Sequence, residues 1–430
     1  MGETEILAKR AVRFREAILE VAYGPGGMIN SFPRFDTRRP FQEGDFGEDP
    51  CWHMYMNEAW GGHICVPRPT LAEWWYGENT LWVTGWLLWS QMLRYQATQE
   101  PEALATARKC FLDLHNIFRL CREIEPGLLG KPHGGRAGPT TSLDQSACPV
   151  LFYAWYARDY ATGKLKDEAY DNLREHGLYY LRRNMIVNQH GHLSSFVREP
   201  HPSAMKYLAA MYVTYELTGE RDVRDVVAKY LKSTADHVLP GINNAFEISH
   251  NLFSWAHLCD YWSKTEFGDL TDWKHCIKEY WTAAQTVMDD EGVLRFGHYD
   301  PEKKSFTPFP DQWIEKGVDA NSPAIQLSGG HGNGHGLTRA WVSSTSIPAR
   351  AMATAGIPLL ALLAREQGVD DQSHLLAKRT LLRLDEDDCR EWWDDGKLPA
   401  ELKPLRNIFA PEVAAIWLVG YWMGRLQKVW

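Results

Sequence analysis

Asp144 is the acidic residue whose sequence context points most directly to chemistry. It lies in the segment TTSLDQS, where Ser142 followed three residues later by Gln145 predicts a capping box and places Asp144 in the first turn of a helix. The helix dipole lowers the pKa of a carboxyl group in that turn, so Asp144 is predicted to be ionised and able to accept a proton from water. A carboxylate that only stabilises the helix end is the alternative interpretation.

A second carboxyl group is required if the chemistry is glycoside hydrolysis, in which one group accepts a proton and the other donates one. Glu73 is one candidate, although Thr70 and Glu73 also predict a capping box that would occupy this glutamate with a backbone amide. Glu78 lies farther along the same predicted helix, among tryptophans that would raise its pKa and make it a proton donor, and a buried carboxylate bonded to a facing helix is the equal alternative. Glu48 belongs to the long glycine-rich loop that precedes this helix.

Histidines and arginines gather in the same loops and at the same helix starts. Four histidines lie at or just before the starts of predicted apolar helices: His201, His250, His331 and His335. Arg136 and Arg339 lie in the neighbouring loops. We predict that these six side chains bind the hydroxyl groups and the carboxylate of an acidic sugar.

The histidines also favour a rival mechanism. A neutral imidazole beside an arginine-bound carboxylate can remove the acidic proton next to that carboxylate, which gives β-elimination or epimerisation rather than hydrolysis, with Tyr207 or Tyr153 returning a proton. A metal site is disfavoured, because the four-residue spacing of His331 and His335 falls in the glycine-rich loop HGNGH rather than on a helix, and no CxxC pair accompanies it. We therefore predict neither a metal nor a cofactor.

Twelve predicted helices position these residues, and they fall into two alternating sets. Helical periodicity indicates an amphipathic, charged set at residues 4–22, 101–123, 166–186, 221–238, 270–290 and 370–394. An apolar set lies between them, at residues 71–96, 142–161, 202–217, 248–264, 347–366 and 408–427. A helix that is apolar on every side must be covered on every side, so the apolar helices are predicted to form an inner ring and the charged helices an outer one. Small β-hairpins are expected at residues 190–199 and 293–300.

The loops separate one end of this predicted double ring from the other. Connections from an apolar helix to the next charged helix are short turns, such as ATGKLKDEA and LTGERDV. Connections into the apolar helices are longer and richer in histidine, glycine and carboxylates, such as KPHGGRAGPTTSLDQ. In antiparallel helix pairs the longer loops all fall at one end, which we expect to be the functional mouth.

Tryptophan is abundant, with 19 residues in the chain. Indole faces stack on the apolar faces of sugar rings, and Trp52, Trp74 and Trp75 in the first loop and helix are the predicted stacking partners. Filling of the wide centre of the ring is the alternative interpretation for most of the tryptophans.

Twelve helices in six hairpins, with a polar mouth over an aromatic centre, resemble the (α/α)6 barrel of carbohydrate-active enzymes. The nearest comparison is with unsaturated glucuronyl hydrolases and related uronic-acid-processing enzymes, which keep an acidic residue at a helix start like that of Asp144. The resemblance implies an exo-acting glycoside hydrolase for small uronic-acid-containing glycans. The same barrel also serves lyases, epimerases and, in a variant, terpene cyclases, so a lyase or epimerase is the runner-up. A non-enzymatic helical scaffold is a third hypothesis, which the dense charge of the outer helices disfavours.

Composition narrows the remaining possibilities. The 430 residues show no linker or shift in composition, so a single domain over 1–430 is expected. A net charge of -9 without a basic stretch argues against nucleic acid as a partner, and no apolar run is long enough for a membrane span. No basic and apolar leader begins the sequence, so we expect a cytoplasmic protein. The oligomeric state stays open, a homo-oligomer included.

The eight cysteines are also consistent with a cytoplasmic protein, because thiols stay reduced in that compartment. Six fall in predicted helices and are expected to be buried free thiols: Cys110, Cys121, Cys148, Cys259, Cys276 and Cys389. Cys51 and Cys65 in the first long loop are the only pair placed where a disulfide is worth testing.

Overall fold

The fold is described from a computed structural model of the chain. The structure describes residues 2–24, 28–31, 33–40, 42, 44, 73, 77, 79–132, 138–189, 192–194, 204–236, 245–295, 297–300, 302–308, 347–385 and 409–430. Within these ranges it contains twelve α-helices, which are the main content of the fold. They are α1 Glu3–Ala17, α2 Thr80–Thr98, α3 Pro101–Cys121, α4 Leu143–Asp159, α5 Gly163–Arg182, α6 Ala204–Thr218, α7 Arg221–Ala235, α8 Ala245–Ser263, α9 Trp273–Val287, α10 Ile347–Glu366, α11 Ser373–Arg383 and α12 Pro411–Leu426.

The two predicted sets of helices are confirmed by their burial. Every residue from Ala204 to Thr214 in α6, and from Pro411 to Tyr421 in α12, is buried. In contrast, α7 buries the stripe formed by Val223, Val227 and Leu231 and exposes charged residues between them. Spacing by four residues puts such a stripe on one face of a helix, so α7 covers its neighbours from one side only.

The helix packing follows the order of the apolar set. Each of α2, α4, α6, α8 and α10 packs against the next member, and α12 packs against α2. Each amphipathic helix packs against a helix of the apolar set: α1 against α12, α3 against α2, α5 and α7 against α6, α9 against α8 and α11 against α10.

Adjacent apolar helices run in the same direction. A Cβ atom on Gly85, in the second turn of α2, would lie 2.8 Å from the Cα atom of Pro149 in the second turn of α4. A Cβ atom on Gly420 of α12 would lie 2.7 Å from the Cβ atom of Pro358, near the middle of α10. Glycine allows both close approaches because it has no side chain to clash with the proline ring. Farther along each pair, Gln96 donates to the Tyr160 hydroxyl at 3.3 Å and Gln427 donates to Oε2 of Glu366 at 3.2 Å. The contacts follow in the same order along both helices, so α2 runs parallel to α4 and α10 runs parallel to α12.

Aromatic side chains fill the space between the apolar helices. Trp86 of α2 lies with its ring centroid 5.1 Å from Phe152 of α4 and 5.3 Å from Phe253 of α8, and α8 is not a neighbour of α2 in the series. Trp89 lies 4.4 Å from His257, one turn farther along the same helices. For these tryptophans the packing interpretation is therefore confirmed.

Two short hairpins are present near the predicted positions. In the first, β1 (Val187–Gln189) pairs with β2 (His192–Ser194), and in the second β3 (Gly297–Asp300) pairs with β4 (Ser305–Pro308), both antiparallel. The last amphipathic helix is shorter than predicted. It ends at Arg383 because the backbone of Leu384 is extended, whereas the sequence pattern continued to residue 394.

The described cysteines agree with the prediction of thiols. Cys110, Cys121, Cys259 and Cys276 are buried free thiols, and Cys148 is buried as well. Cys51, Cys65 and Cys389 lie outside the described residues. None of the helices in the described ranges is both long enough and apolar enough to cross a membrane.

Candidate functional site

Polar side chains, most of them buried, meet at the amino ends of four apolar helices. They are Asn79 and Trp82 of α2, Gln145 of α4, Lys206 of α6 and Glu412 of α12, which we call the amino-end cluster. Gln145, Lys206 and Glu412 are 3%, 0% and 2% exposed. Polar groups buried to this degree need partners, so their arrangement is informative about what the site can do.

The Gln145 side chain joins α4 to the start of α2. Its Oε1 atom accepts a hydrogen bond from the backbone N–H of Trp82 at 3.1 Å, and its Nε2 atom donates to Oδ1 of Asn79 at 3.0 Å. The capping box predicted from Ser142 and Gln145 is therefore wrong. Ser142 is the N-cap residue of α4 but makes no capping bond with its side chain, because the glutamine caps the neighbouring helix instead.

Asn79 lies between Gln145 and Glu412. Its side chain lowers the pKa of the Glu412 carboxyl, as a nearby donor does, while its backbone N–H donates to Oγ of Ser31 at 2.6 Å. The adjacent Thr80 hydroxyl donates to the carbonyl oxygen of Ile29 at 2.8 Å. The segment at residues 28–31 thus fixes the start of α2, and with it the position of the Asn79 amide.

Glu412 is the buried carboxyl of the cluster. Burial raises its pKa to about 8, and its own backbone N–H and the Asn79 side chain only partly oppose that shift. Its Oε2 atom is buried and has no hydrogen-bond partner among the described residues. At neutral pH this carboxyl is therefore protonated and holds a proton that can be donated.

Lys206 brings a positive charge to the same end of the molecule. It is the third residue of α6, and its Nζ atom lies 5.9 Å from the centroid of the Trp82 ring, within the range of a cation–π interaction. Neither Lys206 nor Glu412 was predicted as a site residue. Each is the single charged residue in the first turn of a largely apolar helix, and one charge without a spacing or a motif around it is no signal in the sequence.

Asp144 lies next to the amino-end cluster in the chain. It is the second residue of α4, so its predicted place in the first helical turn is confirmed, and Gln145 follows it directly. The side chain of Asp144 is not among those described. Glu73 has helical backbone and is half-buried.

The position of His250 differs from the prediction. The helix α8 begins at Ala245, three residues before its predicted start at 248, so His250 lies in the second turn of the helix rather than in its first turn. The remaining predicted site residues lie outside the described residues: Glu48, Glu78, His201, His331, His335, Arg136, Arg339, Trp52, Trp74 and Trp75.

Tyr153, a proton donor in the rival mechanism, belongs to a different part of the fold. Its hydroxyl lies 2.8 Å from Nδ1 of His115 in α3 and accepts a bond from Asn172 of α5 at 3.3 Å. Burial raises the pKa of Tyr153 well above its ordinary value. This side chain faces the amphipathic helices, about two and a half turns along α4 from Asp144, and so does not join the amino-end cluster.

Neither a search for metal ligands nor a comparison with known proteins assigns a function to this chain. Within the described ranges, no group of three histidine, cysteine or acidic side chains is arranged to hold a metal ion. Comparison with known proteins finds no family model, no curated protein and no solved structure that matches this chain.

Proposed function

We propose that the chain is a single (α/α)6-barrel domain and a glycoside hydrolase that acts on small glycans bearing a uronic acid. The barrel is supported by the continuous series of contacts from α2 through α12 and back to α2, and by the amphipathic helices that pack on this series. In such a barrel the apolar helices form the inner ring, and their amino ends surround the mouth.

One observation carries the functional proposal, and it is the amino-end cluster. Packed helix ends rarely bury a carboxyl, a lysine and a side-chain amide together, because each must be desolvated. Gln145 of this cluster directly follows Asp144 in the chain, and Asp144 belongs to the first turn of α4, where a helix dipole would favour an ionised carboxyl. Groups of opposite protonation state in one place are what acid–base catalysis requires.

In the proposed reaction Asp144 acts as the base. It takes a proton from water as the water oxygen bonds to the anomeric carbon, while an acid protonates the glycosidic oxygen as the bond from that oxygen to the anomeric carbon breaks. The candidate acids from the sequence are Glu48, Glu73 and Glu78.

Substrate binding falls to the loops that enter the apolar helices. His201, His250, His331, His335, Arg136 and Arg339 would hold the sugar hydroxyls and carboxylate, and Trp52, Trp74 and Trp75 would stack on the ring faces. Loops of this length would close one end of the cleft, which favours removal of a terminal residue over cleavage within a polymer.

A panel of uronic-acid oligosaccharides tests this proposal. The purified chain is incubated with each substrate, with and without a chelator, and products are analysed by mass spectrometry and ultraviolet absorbance. Hydrolysis adds one water per bond cleaved and creates no new chromophore. A new conjugated double bond without added water would mean elimination, and would replace the carboxylate assignment by the histidine mechanism.

A further inference from the structure

We propose that a cavity at the carboxyl ends of α2 and α4 binds a small aromatic carboxylate. The cavity has a volume of about 450 Å³ and lies against the first two turns of α3 and the start of α5. Cavities of this size commonly bind small molecules. The amino-end cluster belongs to the other ends of α2 and α4, so this inference does not rest on the proposed hydrolase activity.

Three tyrosine rings form one wall of the cavity. Tyr156 and Tyr160 are four residues apart and so lie on the same face of α4, and Tyr95 comes from the last turn of α2. The Tyr160 ring centroid lies 5.9 Å from that of Tyr95, with the ring planes at 82°, and 5.5 Å from that of Tyr156. These contacts hold the three rings in place, so they offer a preformed aromatic surface to a flat ligand.

The charge of the cavity suits a ligand with one negative group. Among the described residues that line it, Arg108 of α3 is the only charged one, and within the described part of the chain its guanidinium has no ion pair. The amino ends of α3 and α5 also line the cavity and add partial positive charge. The acidic residues at the start of α3, Glu100 and Glu102, form ion pairs with Arg94 instead.

The Tyr156 hydroxyl offers a hydrogen bond to the same negative group. Tyr156 lines the cavity and is only 3% exposed, yet its hydroxyl has no hydrogen-bond partner among the described residues. Burial raises the pKa of Tyr156 to about 12, and the nearby Arg108 opposes that shift only in part. The hydroxyl therefore keeps its proton at neutral pH. A carboxylate that also pairs with Arg108 would supply the acceptor that this hydroxyl lacks.

The remaining walls favour an aromatic ring over a sugar ring. Leu104 and Ala105 of α3 and Leu165 of α5 line the cavity with side chains that form no hydrogen bonds. A sugar carries hydroxyl groups all round its ring, and those that face these side chains would lose water without gaining a partner. An aromatic ring loses no hydrogen bonds there and packs against the tyrosines. The apolar walls and the single free arginine together define the ligand class.

Isothermal titration calorimetry with three probes tests the ligand class. Naphthalene-2-carboxylate should bind the wild type at one site, and naphthalene-2-carboxamide, which has the same shape without the charge, should bind about 10-fold more weakly. Glucuronate has the charge without the apolar ring and should not bind in this cavity. Ala105→Trp fills the cavity from an exposed position of α3 and should abolish binding of the naphthalene carboxylate. Glucuronate binding that Ala105→Trp abolishes would overturn the proposal in favour of a sugar site.

Two substitutions test the polar contacts, with thermal unfolding to verify that each variant is folded. Arg108→Gln should weaken binding of the carboxylate by about 10-fold and leave the affinity for the carboxamide unchanged, and Tyr156→Phe should weaken carboxylate binding by about 3- to 10-fold. Arg119→Gln, at an exposed position of α3 outside the cavity, is the matched control and should change neither affinity. Three results would overturn the proposal: no saturable binding of the carboxylate to the wild type, equal effects of Arg108→Gln and Arg119→Gln, or binding that survives Ala105→Trp.

Discussion

Replacement of Asp113 by asparagine should remove a large part of the pH dependence of stability. Asp113 lies in α3 and is 8% exposed, and burial raises its pKa to about 7 although the Tyr23 hydroxyl donates to its Oδ2 atom at 3.0 Å. The Lys109 ammonium also lowers this pKa, but by less than burial raises it. The folded protein therefore holds a proton on this carboxyl that the unfolded chain releases near pH 4.

The sign and size of the effect follow from these pKa values. Because the pKa is higher in the folded state, the contribution of Asp113 to stability is fully present below the unfolded pKa of 3.8 and is lost as pH rises through about 7. Each pH unit in this range changes the free energy of unfolding by about 1.4 kcal/mol. Between about pH 5 and pH 8 the wild type should therefore lose roughly 3 kcal/mol that Asp113→Asn does not lose.

Urea unfolding at a series of pH values measures this difference directly. The free energy of unfolding of the wild type is subtracted from that of the variant at each pH, so that contributions from all other groups cancel. Asp167→Asn, at an exposed position of α5, is the matched control and should give a nearly constant difference. A constant difference for Asp113→Asn as well would refute the reasoning, because it would mean that this carboxyl is ionised in the folded protein.

Two further predictions concern the packing of the apolar helices, and both can be measured by thermal or urea unfolding. Gly356→Ala should destabilise the fold by about 1–3 kcal/mol, because its Cβ atom would lie 2.2 Å from Cδ1 of Phe253, whereas Gly2→Ala meets nothing within 4 Å and should change little. Equal effects of the two substitutions would contradict the close approach of α8 and α10. Gln145→Ala should cost about 1–3 kcal/mol, because it leaves the buried backbone N–H of Trp82 and the half-buried amide oxygen of Asn79 without these partners. The exposed Gln96→Ala loses only a bond of 3.3 Å to a tyrosine hydroxyl, and a loss as large as that of Gln145→Ala would argue against the amino-end cluster.

The helices were predictable from the sequence because burial imposes a period on each of them. The stripe of Val223, Val227 and Leu231 marks α7 as a helix with one covered face, and the continuous apolar run of α6 marks a helix covered all round. The end of α11 was not predictable in the same way. The apolar and charged pattern continues past Arg383, while the backbone already becomes extended at Leu384.

The candidate site was predictable only where a local rule applies. Ser142 marks the start of α4, so the place of Asp144 in the first turn follows from its neighbours alone. The role of Gln145 does not, because its partners lie on another helix and compete with the local capping bond. Glu412 is far from Asn79 in the sequence, and its burial depends on how α12 packs against α2, which no local pattern contains.

Hydrolysis in water labelled with heavy oxygen tests the central claim most directly. The wild type and Asp144→Asn are incubated with the best substrate of the uronic-acid panel, and the released terminal sugar is analysed by mass spectrometry. We predict one labelled oxygen at the anomeric carbon of the sugar released by the wild type, and loss of nearly all product from Asp144→Asn in a variant that remains folded. Unlabelled product carrying a new double bond, or undiminished hydrolysis by Asp144→Asn, would contradict a hydrolase in which this carboxylate activates water.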